Sequence, residues 1–175
     1  MAKTQRKTID KVFVMLGVVT TTVLLVAGSV MWWGHVFITD QVTTELKSQK
    51  INFPPEGSPA LDPATYPGLQ QYAGQPVDDG VKAKAYANEF IGKHLEKAAG
   101  GKTYAEVSSA ALLDKENVEL QAQKQSLFQG ETLRGLLLNA YAFWTFGVLA
   151  KYVAIISFVG AALMAVLVAL GYRRI

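Results

Sequence analysis

Two stretches of the chain show neither the two-residue alternation of a half-buried strand nor the one-sided stripe of a surface helix, because almost every position in them is apolar. The first, 12–38, contains no Asp, Glu, Lys or Arg. As a helix it measures about 40 Å, against about 30 Å of bilayer hydrocarbon. A cleaved signal peptide would have a much shorter apolar core, and the small-residue site Val26-Ala27-Gly28 is followed by more apolar sequence through Trp33. An uncleaved transmembrane helix is the expectation. The second stretch, 135–171, is interrupted only by Lys151. As one helix it would be about 55 Å long, too long for one crossing, yet no turn divides it into two. The spacing therefore predicts a crossing over 152–172, preceded by an apolar outer helix over 135–151.

An antiparallel match between the two stretches supports this placement. Lys11 and Arg173 would mark one boundary, and Trp32, Trp33, Lys151 and Tyr152 the other, with Lys151 snorkelling and the aromatic rings forming an interfacial belt. Arg173 and Arg174 would anchor the inner side. Both ends carry basic residues, so the positive-inside rule puts 1–11 and 173–175 in the cytoplasm and 39–134 outside. The predicted location is the cell membrane, crossed twice.

Between the spans the pattern changes. The first helix should run on to about Gln49. All six prolines then fall between Pro54 and Pro76, where missing amide donors and fixed φ exclude a regular helix or a central strand. An extended, exposed loop wrapping between helical arms is expected there. Asp78 or Asp79 is positioned to cap a helix over 81–98, whose Val81, Tyr86, Phe90, Ile91 and Leu95 make a rough apolar face before Gly100 and Gly101 stop it. Thr103 and Glu106 have capping-box spacing and predict a short helix toward Leu113. A last long helix should begin near Asp114 and enter the membrane. Its stripe would include Leu113, Leu120 and Leu127 at seven-residue spacing, then Leu133, Leu137, Tyr141, Trp144 and Val148. The fold class is thus an all-α membrane protein: an antiparallel hairpin of two transmembrane helices extended into an extracytoplasmic helical region with a proline-rich loop.

Charge and composition sharpen this picture. The formal net charge is +3, but every acidic residue except Asp10 lies within 39–134, so the basic balance describes membrane flanks and not a nucleic-acid footprint. Ser157, Ala161, Ala165 and Ala169 recur every four residues, a small-residue stripe suited to close helix packing within the hairpin or against a partner. Gly17, Thr21 and Gly28 are a rougher counterpart. The apolar helix over 135–150 needs a cover or an interfacial position, which makes Leu137, Tyr141, Phe143 and Trp144 the expected partner contacts.

Candidate chemistry is sparse. The chain has no cysteine, which excludes disulfides, thiolate metal sites and a cysteine nucleophile. No phosphate loop, dinucleotide fingerprint, HExxH or GxSxG motif occurs. His35 reads as an interfacial side chain, His94 as solvated, and Asp78-Asp79 as a helix cap. Neither predicted span carries an ionisable group at mid-depth, which argues against a proton relay. No catalytic, cofactor or metal residues are assigned.

The segment QAQKQSLFQGETLRGLLLNAYAFWTFG, with GGKTYAEVSSAAL before it, resembles a family of two-span actinobacterial membrane proteins of uncharacterised activity. The resemblance covers residues 83–172 and is most specific over 130–144. It implies an actinobacterial envelope and no mechanism. A ring-opening dioxygenase label sometimes attached to related sequences would require iron ligands that this sequence does not supply. The expected function is a non-enzymatic membrane accessory or scaffold subunit that contacts another envelope protein, or a second copy, through its outer helices. A homo-oligomeric channel or transport accessory and an extracytoplasmic ligand-binding or sensor module are the alternatives. The expected partners are the bilayer and a membrane protein, with no nucleic acid.

Overall fold

The computed structural model describes residues 3–173, with side chains from Arg6 onward; Arg174 lies outside the described residues. Among these the regular secondary structure is all helical, with no β-strand and only an isolated bridge between Asn52 and Pro76. Helix α1 spans Lys3–Ser48 and α5 spans Val118–Tyr172, 46 and 55 residues long. Between them lie α2 (Gly80–Ala85), a π-helical turn (Tyr86–Ile91), α3 (Gly92–Ala98) and α4 (Tyr104–Leu113). Both long helices contain an apolar segment long enough to cross a bilayer.

The chain divides into two compact units, Met1–Ile38 with Phe146–Ile175, and Thr39–Thr145. In the first unit, α1 turns one narrow face inward: Asp10, Val14, Gly17, Thr21, Leu24, Gly28, His35 and Ile38 are buried or half-buried. These positions follow alternating steps of four and three residues, with a single step of seven between Gly28 and His35. That is the spacing that keeps a helical seam in register with a second helix. The matching face of α5 is Gly147, Ala150, Ala154, Ser157, Ala161, Met164, Val168 and Gly171.

The second unit holds the larger core. Leu46 from the end of α1, Leu95 from α3, Val107 from α4, and Leu127 and Leu137 from α5 are all buried. The proline-rich segment departs from the exposed loop expected of it, since Phe53, Leu61, Tyr66, Leu69 and Val77 are among the most buried side chains of the unit. Proline at the start of each of two 3₁₀ turns, Pro59–Leu61 and Pro67–Tyr72, makes this possible, since the first residues of a helical turn have no donor to supply. Backbone bonds from Phe53 to Gln75 and from Val77 to Ile51, each 2.9 Å, close the base of the segment.

Local signals fix most boundaries. Asp79 accepts from the Lys82 amide at 2.8 Å and opens α2, while Asp78 pairs with the Lys82 ammonium at 2.8 Å. Gly100 and Gly101, with φ of 60° and 79°, stop α3 in a conformation that side chains disfavour. The Thr103–Glu106 capping box is complete and opens α4. The last helix starts at Val118 and not near Asp114, because Asn117 supplies the cap by accepting from the Leu120 amide at 3.0 Å. Leu113 consequently ends α4 at 91 % exposure and leaves the stripe to Leu120 and Leu127.

Candidate functional site

Two surfaces were expected to matter: the contact between the long apolar helices with its outward face, and the apolar outer segment of α5. In the first unit the helix contact is built on missing side chains. A Cβ at Gly17 would lie 2.5 Å from a Val168 methyl carbon, and one at Gly28 would lie 2.8 Å from the Phe158 ring. From the other side, a Cβ at Gly160 would lie 3.4 Å from a Leu24 methyl carbon and one at Gly171 3.0 Å from a Val14 methyl carbon. His35 Nδ1 stands 3.0 Å from the Gly147 carbonyl oxygen, and since that oxygen only accepts, Nδ1 is the donor. His35 is therefore half-buried against a backbone carbonyl and is more than an interfacial ring.

Ser157 and Ala161 sit in this contact, both under 9 % exposed. Ala165 and Ala169 do not; they face outward. Four residues at about 100° each overshoot a turn by about 40°, so a strict four-residue stripe winds off the seam within two steps. The seam passes instead to Met164, Val168 and Gly171, which the alternating four-three spacing identifies and the search for small residues missed. The outward surface carries the large side chains. From Ile9 to Phe37 on α1 and from Phe146 to Tyr172 on α5, the exposed positions include Phe13, Leu16, Val23, Val26, Trp33, Ile156, Leu163 and Leu170. Trp32, Trp33, Lys151, Tyr152 and Arg173 are exposed, and Trp33 stacks on Phe37 with centroids 5.4 Å apart.

In the second unit, the four expected partner residues separate. Leu137 is 3 % exposed in the core, and Trp144 packs on the first turn of α2, where a Cβ on Gly80 would lie 2.3 Å from its own Cβ. Tyr141 is half-buried, with the Lys84 ammonium 4.6 Å above its ring. The chain itself thus covers these three. Phe143 stays open at 54 %, on the same helix as Leu136 at 63 %. The aromatic residues of this unit pack on one another: the Tyr86 ring lies with its centroid 5.1 and 4.8 Å from those of Phe53 and Phe90. Burial alone pushes the Tyr86 hydroxyl pKa up.

The π-helical turn brings Asn88 to α5, where its carboxamide oxygen accepts from Arg134 at 3.2 Å. His94 is ordered, stacking on Tyr66 with an interplanar angle of 12°. Its Nδ1 lies 2.8 Å from the Phe90 carbonyl and 3.1 Å from the Tyr66 hydroxyl. These two residues edge an open groove of about 630 Å³ whose charged lining, Asp62, Lys93, Glu96 and Lys97, is balanced in sign. Asp62 is itself engaged by the Thr65 hydroxyl and amide, which hold its pKa below the usual carboxylate value. Among the described residues, no group of three or more His, Asp and Glu is placed to hold a metal ion.

No protein-family model, curated protein or solved structure matches this chain. What it does is therefore argued from these surfaces.

Proposed function

We propose that the chain is a non-enzymatic, two-pass membrane component whose long apolar helices cross the bilayer as an antiparallel hairpin and whose outer helical unit docks an envelope protein. One observation carries the membrane reading: the first unit places glycine, alanine and serine inside and large apolar side chains outside. That sorting is costly in water, where burial of apolar area drives folding, and favourable in lipid, where close helix approach drives association. The four glycine contacts and the His35–Gly147 bond ascend along α1 as they descend along α5, which supports the antiparallel order.

The dimensions fit. From Lys11 to Trp33 a helix rises about 33 Å, close to the hydrocarbon thickness. The exposed rings of Trp33, Phe37 and Phe146 then occupy the interfacial zone, where aromatic side chains concentrate. Lys7, Lys11 and Arg173 lie at the opposite end, which supports a cytoplasmic position for that end under the positive-inside rule. Within the actinobacterial family that the sequence resembles, this describes an envelope subunit acting through its outer surface. Leu136 and Phe143 are the docking positions that the chain's own core leaves open.

Alkaline carbonate extraction tests the membrane reading, since a bilayer-spanning chain stays with the pellet and recovery in the aqueous fraction refutes it. A photo-crosslinker at Phe143 in native membranes tests the docking reading. Capture of one defined protein or of a second copy supports it, and labelling of lipid alone overturns it.

A further inference from the structure

We propose that the cytoplasmic end of the hairpin is a binding groove for a phospholipid with a primary-amine headgroup, a proposal that rests on the membrane reading above. Beside the Gly17–Val168 and Gly171–Val14 contacts, α1 and α5 leave a groove of about 240 Å³ lined by Phe13, Val14, Met164, Leu167 and Val168, with Asp10 among its lining residues. The wall is apolar except for that one carboxylate.

Asp10 is the sole acidic residue of its unit and is half-buried at the groove, and among the described residues it has no hydrogen bond or ion pair. A partly desolvated carboxylate at a membrane boundary needs a cationic or donor partner. The neighbouring cations Lys7, Lys11 and Arg173 are exposed. Lys7 and Lys11 flank Asp10 along α1, so this end carries both signs of charge and complements a zwitterion: ammonium to Asp10, phosphate to the basic residues, acyl chain along the apolar groove. An anionic headgroup would satisfy the cations and leave Asp10 opposed. A quaternary choline would bring charge without a hydrogen-bond donor, so the primary amine is the best match.

The test uses the full chain in proteoliposomes and spin-labelled phosphatidylethanolamine, phosphatidylcholine and phosphatidylglycerol, reading the motionally restricted fraction of each. The ethanolamine lipid should be preferred over the choline lipid about two- to fivefold, the ratio that a solvent-accessible ion pair supports. Asp10→Asn should abolish that preference and Asp10→Glu should retain it. Equal restriction of ethanolamine and choline lipids, or a preference unchanged in Asp10→Asn, overturns the proposal. So does a dominant glycerol-lipid preference, which would show that the basic residues alone select lipid. A chain that resists carbonate extraction yet shows no headgroup selectivity sinks the groove and spares the membrane reading. A chain released by carbonate sinks both.

Discussion

The antiparallel seam makes a demanding prediction for a cysteine pair at Gly17 and Val168. A Cβ built on Gly17 lies 3.9 Å from the Val168 Cβ, inside the range of about 3.5–4.5 Å that an unstrained disulfide needs. The one close obstacle is a Val168 methyl carbon at 2.5 Å, and Val168→Cys replaces it with the bonding sulfur. The chain has no native cysteine, so Gly17→Cys/Val168→Cys contains only the two thiols being tested. Oxidation in native membranes should protect both from a maleimide polymer, and reduction should restore two labels per chain. The control Val19→Cys/Val168→Cys should stay labelled when labelling follows denaturation, because Val19 faces away from the α1–α5 contact and forms no bond to be protected. In the chain-entropy model a loop of about 150 residues adds about 5 kcal/mol, an upper limit under the proposed membrane insertion, because helices in a bilayer do not unfold to a random coil. Persistent double labelling of the first pair, or disulfide-linked dimers in place of an internal bond, would refute the packing of α1 against α5.

Gly80→Ala should destabilise the second unit by about 1–3 kcal/mol by overpacking against the fixed root of Trp144, even though alanine is the better helix former; chemical unfolding in detergent followed by tryptophan fluorescence measures it. Leu127→Ala removes a side chain that is 2 % exposed at the centre of the outer core and should cost about 2–5 kcal/mol in the same assay. The Glu106 carboxylate is held below its usual pKa by the Thr103 amide and hydroxyl, and that of Asp78 by the Lys82 ammonium. Carboxylates with lowered folded pKa values stabilise the fold above their ordinary pKa, and that contribution is lost as pH falls through the folded value. The second unit should therefore lose helicity by circular dichroism as pH falls below about 4, and Glu106→Gln should remove the Glu106 share of that dependence, whereas Thr103→Ala, which keeps the backbone amide, should only reduce it.

Much of the helical architecture was legible because its signals are local. Asp79, the Gly100–Gly101 stop and the Thr103–Glu106 box act over a few residues, and each marks a boundary that the structure keeps. The proline-rich segment was misjudged for the same reason. Prolines announce that no long helix forms, but Phe53, Leu61, Tyr66 and Leu69 reach the core through 3₁₀ turns whose spacing matches neither helical nor strand periodicity. The π-helical turn gave no compositional sign, since it depends on how 86–91 meets the elements around it. Of the expected partner residues, Leu137 and Trp144 proved to be inward-facing, because an apolar helix can be covered by its own chain. Of the small-residue stripe, Ser157 and Ala161 lie in the seam. Ala165 and Ala169 do not, because residue size alone ignores the angular drift that the four-three spacing records.

The glycine-lined seam also reverses the usual map of mutational tolerance. In a water-soluble helix pair, shrinking the interior and greasing the exterior are the damaging changes. Here Leu16, Val23, Val26, Ile156 and Leu163 point outward and should accept exchange among apolar types, while a single added methyl at Gly17 or Gly28 meets the opposite helix. A saturation scan of this region should therefore look like the photographic negative of one taken on a soluble hairpin, with the smallest residues the least replaceable.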